Sequence, residues 1–462
     1  MSLPPATVPP ANEAPGEAPS RRARGRDDAC PGALRLHPAD DGSLARVRIP
    51  GGLLTAGQAL ALARASEELG DGRLDLTSRG NLQLRGLEAA CGGELAAGLR
   101  EAGLLPSDRY DRVRNIAASP LSGLDGAGYG DVTVWARELD AALCAGAWEE
   151  LSGLSGRFLF AMDDGRGDVA ALGADVTLIA APDGGAVLRV GSGAPGAGLE
   201  VRGRDAPRAA ALAAVEFLAR ARVSGTQAWR ARELPARHAV TADGLAARLA
   251  DEGVEAVRTG HGGPVDAPGA PPAPGVVSGP DGRHAVSVLV PLGRVGAAPW
   301  RLLAGLASRG GSGELRVTPW RGVVLPGFTA DGAAAASREV ADAGLVTDPG
   351  SPWAGVGACT GRPGCAKSLA DVRAHATRAV ADAPRSPGAP PPVPVYFSGC
   401  ERRCGHPGGR WVDALATSGT DYRLTVRDTR EPDGAAGATG GGAMDVTAER
   451  LADAVATARG TA

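Results

Sequence analysis

The sequence predicts an α+β fold made of two related halves. In each half, a strand is followed by a helix and then by two strands that join at a polar turn. Both turns contain an Arg-Gly step, at Arg79 and Gly80 in the first half and at Arg321 and Gly322 in the second, 242 positions apart. A Pro/Gly-rich stretch, densest at 264–282, separates the halves. One element order on both sides of such a stretch indicates a duplication.

The first half begins with residues 44–50, which read as a strand. Thr55 is a favourable N-cap, and the residues after it predict a helix that ends near Leu69, where Gly70 stops it. Residues 72–86 alternate apolar and polar side chains around the turn, which predicts two paired strands. These elements make one strand–helix–strand–strand unit.

The second half repeats this order. Residues 285–290 read as a strand, and the helix that follows has Pro299 in its first turn and Gly310 at its end. Residues 313–325 then repeat the paired strands, although the threonine of the turn lies one position further from the arginine than in the first half. The second half is therefore predicted to be a structural copy of the first.

Later segments of the halves also correspond. Residues 114–123 stand where 357–361 stand in the second half, and 157–165 stand where 395–400 stand. Only the second-half segments contain cysteines. Both halves are thus predicted to keep one scaffold, with a cleft between them, and only one half is predicted to carry thiolates.

Composition restricts the class of protein. A chain of 462 residues that is 44% hydrophobic predicts two or three domains. The net charge of −3 and the 3% aromatic content argue against nucleic-acid binding. No apolar run is long enough to span a bilayer, and no apolar segment follows the N-terminal arginines as in an export signal. Seven cysteines, an odd number, fit a reducing compartment, so we expect a cytoplasmic protein with no membrane partner.

Four cysteines in two pairs are the strongest functional signal. Five residues separate Cys359 from Cys365, and three separate Cys400 from Cys404. Thiolates on glycine-rich loops suit an iron–sulfur cluster, because each iron takes one soft ligand and small neighbours let the backbone approach closely. A structural zinc site is the main alternative, but zinc pairs usually have two to four intervening residues. Unrelated free thiols are the third interpretation.

The surroundings of the two pairs differ. An Ala-rich stretch at 366–376 has high helix propensity, which predicts that Cys365 lies at a helix N-terminus, where a negatively charged cluster is favoured. An apolar run at 393–397 precedes Cys400 and predicts a strand. The cluster is therefore expected where a strand ends and a helix begins.

The spacing and its flanks resemble a known family. Cys-x5-Cys followed by Cys-x3-Cys is similar to the cluster signature of the nitrite/sulfite reductase superfamily. The fuller motifs, ACTGRPGCAK around the first pair and SGCERRCGHP around the second, resemble the precorrin-3B synthase branch of that superfamily. The resemblance covers roughly residues 30 to 428.

The resemblance implies a duplicated nitrite/sulfite reductase-like architecture of the α+β class. Two ferredoxin-like half-domains would pair, and two α/β domains would bind the cluster and a tetrapyrrole. The expected division is a disordered tail at 1–28, half-domain 1 at 29–100, reductase-like domain 1 at 101–230, a linker region at 231–282, half-domain 2 at 283–345, the 4Fe-4S-binding domain 2 at 346–430, and a flexible spacer with a terminal helix at 431–462.

Arginines near strand ends are the candidate substrate residues. Guanidinium groups bind carboxylates in bidentate fashion, so several that converge suit a polycarboxylate, whereas any single one is more often a solvated surface charge. The resemblance favours Arg79, Arg114 and Arg157, because basic residues at the corresponding turns of sirohaem reductases contact tetrapyrrole carboxylates or the bound anion. Two amides alternate with leucines on the neighbouring strand and share one face. The expected substrate-binding set is Arg79, Asn81, Gln83, Arg114, Arg157 and Arg321.

One departure from the reductase pattern bears on the reaction. Sirohaem reductases typically carry two basic residues around the position of Phe158, whereas this chain has Arg157 and then Leu159. A small oxyanion needs several cations to offset its loss of hydration. The resemblance therefore implies an NADH-linked monooxygenase-type oxidoreductase, a precorrin-3B synthase. Such enzymes hydroxylate precorrin-3A with dioxygen and close a γ-lactone in aerobic cobalamin biosynthesis, with electrons passing through a 4Fe-4S cluster.

Alternatives remain open. A nitrite or sulfite reductase would carry sirohaem in addition, and an iron–sulfur electron-transfer protein would need no large cleft. The expected partners are precorrin-3A, dioxygen, and NADH or a reductase or ferredoxin as the electron donor. No dinucleotide-binding glycine motif follows a clear strand, so the donor would bind elsewhere or act through another protein.

A few residues carry weaker expectations. His406 is a candidate ligand for an additional non-haem iron, although a histidine in a Gly-His-Pro turn is more often structural. Lys367, the only lysine of the chain, could tune the cluster because it lies two residues after Cys365. Asp163 and Asp164 could ligate a metal or act as a base, although Asp-Asp-Gly is commonly a turn. No catalytic residue is identified.

Overall fold

A computed structural model describes residues 28, 30–191, 198–259, 269–383, 393–428 and 442–460. The predicted tail at 1–28 lies almost wholly outside the described residues, as does most of the predicted spacer that begins at residue 431. No described helix is long and apolar enough to cross a bilayer.

The first half-domain is an antiparallel sheet with two helices. Its elements are β1 (His37–Ala39), β2 (Gly42–Val47), β3 (Leu53–Thr55), α1 (Ala56–Leu69), β4 (Arg73–Leu76), β5 (Leu82–Leu87) and α2 (Gly92–Glu101). Thr55 caps α1 as predicted: its side chain accepts a hydrogen bond from the Gln58 amide, and the Gln58 side chain accepts one from the Thr55 amide. The leucines of β4 and β5 are buried against α1, which explains their alternation.

The first reductase-like domain contains a six-stranded sheet. Its elements are β6 (Ile116–Ala118), α3 (Thr133–Cys144), β7 (Phe160–Asp163), β8 (Val176–Ala180), β9 (Gly185–Val190), β10 (Leu199–Arg202), α4 (Ala206–Ser224), α5 (Ala242–Asp251) and β11 (Ala256–Arg258). The strand order is β11-β10-β9-β8-β7-β6, with β6, β7 and β8 parallel and the rest antiparallel. Both loops at the carboxyl ends of β6 and β7 therefore open at one edge of the sheet.

The second half-domain repeats the first and exchanges a strand with it. Its elements are β12 (Gly275–Ser278), β13 (His284–Leu289), β14 (Arg294–Gly296), α6 (Ala297–Arg309), β15 (Glu314–Val317), β16 (Gly322–Phe328) and α7 (Ala330–Asp342). β14 pairs with β4 of the first half-domain, and β3 pairs with β15 of the second. Trp300 of α6 is fully buried and donates to the Ala59 carbonyl of α1 at 2.9 Å. One hydrophobic core spans both half-domains.

The last domain repeats the strand pattern of the first reductase-like domain. Its elements are β17 (Val356–Ala358), α8 (Val372–Ala381), β18 (Val395–Ser398), β19 (Arg410–Ala416), β20 (Asp421–Asp428), β21 (Met444–Thr447) and α9 (Leu451–Gly460). β17, β18 and β19 are parallel, and β20 and β21 continue antiparallel. The predicted duplicated α+β fold is therefore confirmed.

Two local predictions are wrong. The region 231–282 was expected to be a linker, but α5, β11 and β12 lie within it, and Leu245 and Leu249 of α5 are buried against the first reductase-like domain. The helix expected directly after Cys365 begins only at Val372, where the Asp371 side chain caps it. In residues 366–370 the Leu369 amide instead donates to the Gly399 carbonyl of the other cysteine loop, and the Ala370 carbonyl accepts from the Arg362 amide, so these tertiary bonds outweigh the helix propensity of the alanines.

Candidate functional site

Two loops at neighbouring strand ends carry the four cysteines. Cys359 follows β17 and Cys400 follows β18, so the parallel pairing of these strands brings the loops together. The Cys359 amide donates to the Phe397 carbonyl at 3.0 Å, and the Leu369 amide donates to the Gly399 carbonyl at 2.8 Å. None of the four cysteines is in a disulfide. The cysteine site is hereafter Cys359, Cys365, Cys400 and Cys404.

Glycines allow the backbone of the cysteine site to pack closely against its neighbours. The Gly399 amide donates to Cys359 Sγ at 3.2 Å, which is the kind of N–H···S bond that an iron–sulfur cluster receives. A Cβ at Gly399 would lie 1.9 Å from Ser368 Oγ, and one at Gly364 would lie 2.5 Å from Asp41 Oδ2. A larger residue at Gly399 would therefore push the two cysteine loops apart, and one at Gly364 would push the first loop away from the first half-domain.

The four thiols also affect one another electrostatically. Burial raises the pKa of Cys359, and the charges of Cys365 and Cys400 raise it further. Loss of solvent around the sulfur raises the pKa of Cys404, although the residue as a whole is exposed, and the other three thiols act in the same direction. Four thiolates would repel one another without a bound metal, so the site is suited to cationic metal centres that deprotonate thiols on binding.

The donor set bears on the kind of metal centre. Thiolates are soft ligands, and the Gly399 amide already donates to one sulfur, as backbone amides do to iron–sulfur clusters. The residues present therefore fit an iron–sulfur cluster.

The first half-domain supports the cysteine site from one side. Arg85 is buried, pairs with Asp41 through two hydrogen bonds of 2.9 and 2.8 Å, and donates to the Gly364 carbonyl beside Cys365 at 2.8 Å. Arg373 of α8 donates to Asp75 of β4 at 2.8 Å. These bonds fasten the first cysteine loop to a sheet that is distant in sequence.

Arg321 supports the site from the other side. It adopts the left-handed conformation, with φ of 60°, at the turn between β15 and β16. Its guanidinium donates to the Gly405 carbonyl at 3.0 Å and to the Tyr396 hydroxyl at 3.3 Å. The Tyr396 hydroxyl donates to the Cys404 carbonyl at 2.6 Å. Arg321 was predicted to bind substrate, but these contacts make it a support of the Cys404 loop.

A group of five arginines lies between the first half-domain and the first reductase-like domain. It is called the arginine cluster and comprises Arg46, Arg48, Arg79, Arg157 and Arg230. Arg79 donates to the Arg157 carbonyl at 3.1 Å, and the guanidinium of Arg157 lies 4.7 Å from the ring centre of Trp229. Arg48 donates to the Gly156 carbonyl at 3.0 Å. The members therefore converge from separate elements.

The arginine cluster is short of negative charge. Burial, together with the charges of neighbouring guanidinium groups, lowers the pKa of Arg79 to about 9 and that of Arg46 to about 10. Among the described residues, only Arg230 has a carboxylate partner within ion-pair distance, Asp175 at 2.6 Å. Crowded cations without counter-ions favour an anionic ligand.

Two predicted substrate residues have other roles. Arg114 is buried, pairs with Asp140 at 2.6 and 2.7 Å and donates to the Leu104 carbonyl. Asn81 is also buried, where it accepts from the Ile49 amide and donates to Asn115. Both therefore have partners within the protein, as buried polar groups require, and their contact with a ligand stays a prediction.

Gln83, another of the predicted substrate residues, contacts the arginine cluster. With its amide oxygen turned toward Arg46, Gln83 accepts from that guanidinium at 2.6 and 3.2 Å. Sequence reasoning did not single out Arg46 and Arg48. Both lie in the run that was read only as a strand, and two arginines two positions apart at the end of a strand were the available signal.

The turn at Trp320 and Arg321 lies between the apolar group that contains Leu159 and the Cys404 loop. Leu159 is buried in an apolar group with Val169 and Ala174, and Trp320 packs against that group. The next residue, Arg321, contacts the Cys404 loop. The arginine cluster and the cysteine site therefore flank the same region between the halves.

The remaining candidates have fewer contacts. His406 is exposed, stacks on Trp411 with ring centres 5.1 Å apart, and forms a hydrogen bond with the Pro407 carbonyl through Nδ1. It joins no group of three or more metal-ligand atoms among the described residues, and its role as a ligand of a second iron stays a prediction. Lys367 is exposed, and its tuning of the cluster stays a prediction.

Comparisons with known proteins show which domains and sequences this chain resembles. The nitrite/sulfite reductase ferredoxin-like half domain matches twice, at residues 37–102 and 278–343. A precorrin-3B synthase from Sinorhizobium sp. is 27% identical over 384 residues, which cover 83% of this chain and 79% of that protein. A ferredoxin–nitrite reductase from Synechococcus elongatus is 27% identical over 403 residues, which cover 79% of this chain and 74% of that protein.

A solved structure has the same fold. The Mycobacterium tuberculosis NirA protein superposes with a TM-score of 0.67 over 90% of this chain and 79% of that chain, at 19% sequence identity. The two half-domain matches agree with the exchange of β3 and β14 between paired half-domains. The predicted ferredoxin-like half-domains and superfamily resemblance are therefore confirmed.

Proposed function

We propose that this chain is a precorrin-3B synthase of aerobic cobalamin biosynthesis, because two nitrite/sulfite reductase ferredoxin-like half domains match it and its relatives include a precorrin-3B synthase and a ferredoxin–nitrite reductase. The reaction inserts one atom of dioxygen into precorrin-3A as a hydroxyl group and closes a γ-lactone through the ring A acetate. The other oxygen atom leaves as water, which requires two electrons and two protons. NADH would supply both electrons and one proton, directly or through a reductase or ferredoxin, and the second proton would come from solvent.

The cysteine site would hold a 4Fe-4S cluster through Cys359, Cys365, Cys400 and Cys404. Such a cluster supplies one-electron transfer when bound. The chain would support it with the Gly399 amide on one sulfur and with the Arg85 and Arg321 contacts to the loops. These contacts fix the loops on both sides, so the ligand set would be rigid before the cluster binds.

The arginine cluster would bind the acetate and propionate groups of the substrate. Arg46 and Arg79 are the best candidates, because their guanidinium groups have no carboxylate partner among the described residues. Arg157 would be held in place by its contact with Trp229. A polycarboxylate would remove the mutual repulsion of these cations, and this gain would favour binding.

Leu159 is the observation that carries the choice of reaction. At the position where sirohaem reductases typically have their second basic residue, this chain has a leucine that is buried against Val169 and Ala174. An apolar, closed position offers no cation to a small oxyanion. A tetrapyrrole with an apolar face and carboxylate arms is the ligand that this combination suits.

The second candidate function is reduction of nitrite or sulfite with sirohaem. The ferredoxin–nitrite reductase relative and the NirA-like fold favour it. Under that function, the exposed Cys404 would lie between the cluster and the haem iron. The arginine cluster would then bind the carboxylates of sirohaem.

An isotope experiment distinguishes these functions. The purified, cluster-containing protein would receive precorrin-3A, NADH with a reductase, and ¹⁸O₂, and parallel samples would receive nitrite or sulfite with a dithionite-reduced donor. We expect a product that is heavier by one ¹⁸O atom and no reduction of either anion. Turnover of nitrite or sulfite with no change in precorrin-3A would overturn the proposal.

A further inference from the structure

The first half contains a site at the place where the second half has its cysteines. Ser119 follows β6 as Cys359 follows β17, and each amide donates at 3.0 Å to the neighbouring strand, Ser119 to Met162 and Cys359 to Phe397. The Asp164 amide donates to Ser119 Oγ at 3.2 Å, and the Gly399 amide donates to Cys359 Sγ at 3.2 Å. The two loops are therefore equivalent, with oxygen donors in one and sulfur donors in the other.

Three buried carboxylates converge at this point. Asp163, Asp164 and Asp168 each present an oxygen within 4.8 Å of the others, and this is the one such group of potential metal ligands within the part of the chain that the structure describes. All three are buried, and Asp168 is 1% exposed. This group is called the aspartate site.

Hydrogen bonds satisfy the aspartate site except at one atom. Asp163 accepts three backbone N–H bonds, from Gly165, Gly167 and Ala170. Asp168 Oδ1 accepts from the Ser119 hydroxyl at 2.6 Å and from the Val169 amide at 2.7 Å. Asp168 Oδ2 is buried and has no hydrogen-bond partner. Buried polar atoms rarely lack one, so something absent from the protein chain belongs there.

The charges at the aspartate site are also unbalanced. Arg166 pairs with Asp164 at 2.7 Å, but the same guanidinium pairs with Asp125 at 2.8 Å. No cationic side chain of the described residues lies within ion-pair distance of Asp163 or Asp168. Buried carboxylates are normally paired or bound to a metal.

We propose that the aspartate site binds one hard divalent cation, of the class of Mg²⁺, Mn²⁺ or Ca²⁺, through Asp168 Oδ2 with Asp163 and Asp164. The donors are all oxygens, which these cations prefer and which iron–sulfur clusters and zinc–thiolate sites do not use. The cation would offset the charges of Asp163 and Asp168 that Arg166 leaves uncompensated. Each half would then hold a metal centre between the same two loops, whichever tetrapyrrole reaction the protein performs.

Binding of Mn²⁺ to the full-length holoprotein tests this site. Free Mn²⁺ has a six-line EPR signal that disappears on binding, so titration gives stoichiometry and affinity. We expect about one Mn²⁺ per chain, and competition by Mg²⁺ and Ca²⁺, as oxygen ligands imply. The D168N substitution keeps the shape of the side chain and should weaken binding at least about tenfold, the smallest loss typical even for an outer-shell partner.

The matched control is D251N, at the exposed end of α5 in the same domain. It should bind Mn²⁺ like the wild type, and Mn²⁺ should raise the melting temperature of both proteins but not that of D168N. If D168N does not fold, S119A should still weaken binding, because it removes the hydrogen bond to Asp168 and no charge. Equal Mn²⁺ binding by wild type and D168N, or none by either, would overturn the proposal and leave Asp168 Oδ2 with a proton or a water molecule.

Discussion

The two halves of the molecule present the same pair of loops with different donor atoms. After β17 and β18 the loops carry the cysteine site, and after β6 and β7 they carry the aspartate site. The backbone bonds that hold the loops are the same in both, as the paired contacts of Ser119 and Cys359 show. The scaffold therefore accommodates either set of donor atoms, and changes at a few side chains decide whether a half presents thiols or carboxylates.

The supports of the two loop pairs differ as well. In the second half, Arg85 reaches from the first half-domain to Gly364. In the first half, Arg114 forms the same kind of ion pair, with Asp140, and donates to the Leu104 carbonyl, which lies away from the aspartate site. The cysteine site is thus tied to another domain, whereas the aspartate site is held mostly by its own loop. Coupling between the sheets should therefore matter more for the cysteine site.

The largest expected effect follows removal of one cysteine ligand. In Cys400→Ser, the hard hydroxyl replaces a soft thiolate, so we expect loss of most iron, acid-labile sulfide and visible absorbance. The control is Cys144→Ser, at the end of α3 in the first half and outside both sites. Chemical analysis of iron and sulfide measures the difference. Equal cluster content in the two variants would break the comparison between the halves.

Replacing a buried arginine should separate stability from cluster retention. Arg85 and Arg114 are matched, since their side chains are 4% and 5% exposed and each pairs with an aspartate that is 20% exposed. We expect R85M and R114M each to lose about 3–5 kcal/mol in the free energy of unfolding, because each leaves a carboxylate without its partner. Chemical denaturation measures this loss.

Only R85M should also lose cluster, because only Arg85 contacts the first cysteine loop. The iron content of both variants, measured after gel filtration, tests the difference. Cluster loss of the same size in R114M would show that general destabilisation, and not the contact with Gly364, causes it.

The arginine cluster should contribute most of the affinity for a polycarboxylate ligand. In R79Q, one uncompensated guanidinium is removed, so affinity for a stable polycarboxylate tetrapyrrole such as uroporphyrin should fall about 10–100-fold, the cost of a charged hydrogen bond. The control R109Q removes an exposed arginine of the same half that pairs with Glu149. Absorbance titration measures the affinities. Unchanged affinity in R79Q would place the ligand elsewhere.

The smallest expected effect concerns pH and the second half. His375 of α8 is buried against the Tyr422 hydroxyl at 2.7 Å, and burial lowers its pKa below the usual 6.5, with Arg378 acting in the same direction. The unfolded chain then binds this proton more readily, so the free energy of unfolding should decrease as pH falls below 6.5. In H375Q this part of the decrease should disappear.

The equivalent helix of the first half, α3, contains no histidine. Denaturation of the wild type and H375Q at pH 7.5 and 5.5 therefore isolates a contribution of the second half. The same pH dependence in both proteins would assign the effect to other groups.

Local patterns in the sequence predicted much of the fold. The Thr55 cap, the alternating strands and the repeated Arg-Gly turns all depend on neighbours close in sequence, and each is present. The spacing of the cysteines predicted the two loops, because parallel strands place their carboxyl ends at one edge. These features need no knowledge of distant contacts.

Features that depend on distant contacts were missed. The alanines after Cys365 favour a helix, but bonds to Gly399 hold that loop in another conformation. Arg114 resembled a ligand residue until Asp140 was found beside it, and Arg46 was taken for an ordinary strand residue. The direction in which an arginine points depends on partners that only the folded chain brings near.

Anaerobic visible and EPR spectra of the purified protein show most directly whether it holds a 4Fe-4S cluster without sirohaem. Iron, acid-labile sulfide and extracted tetrapyrrole would be quantified on the same sample. We expect about four irons and four sulfides per chain, as in a 4Fe-4S cluster, and no sirohaem. Stoichiometric sirohaem that is coupled to the cluster would contradict it and identify an anion reductase.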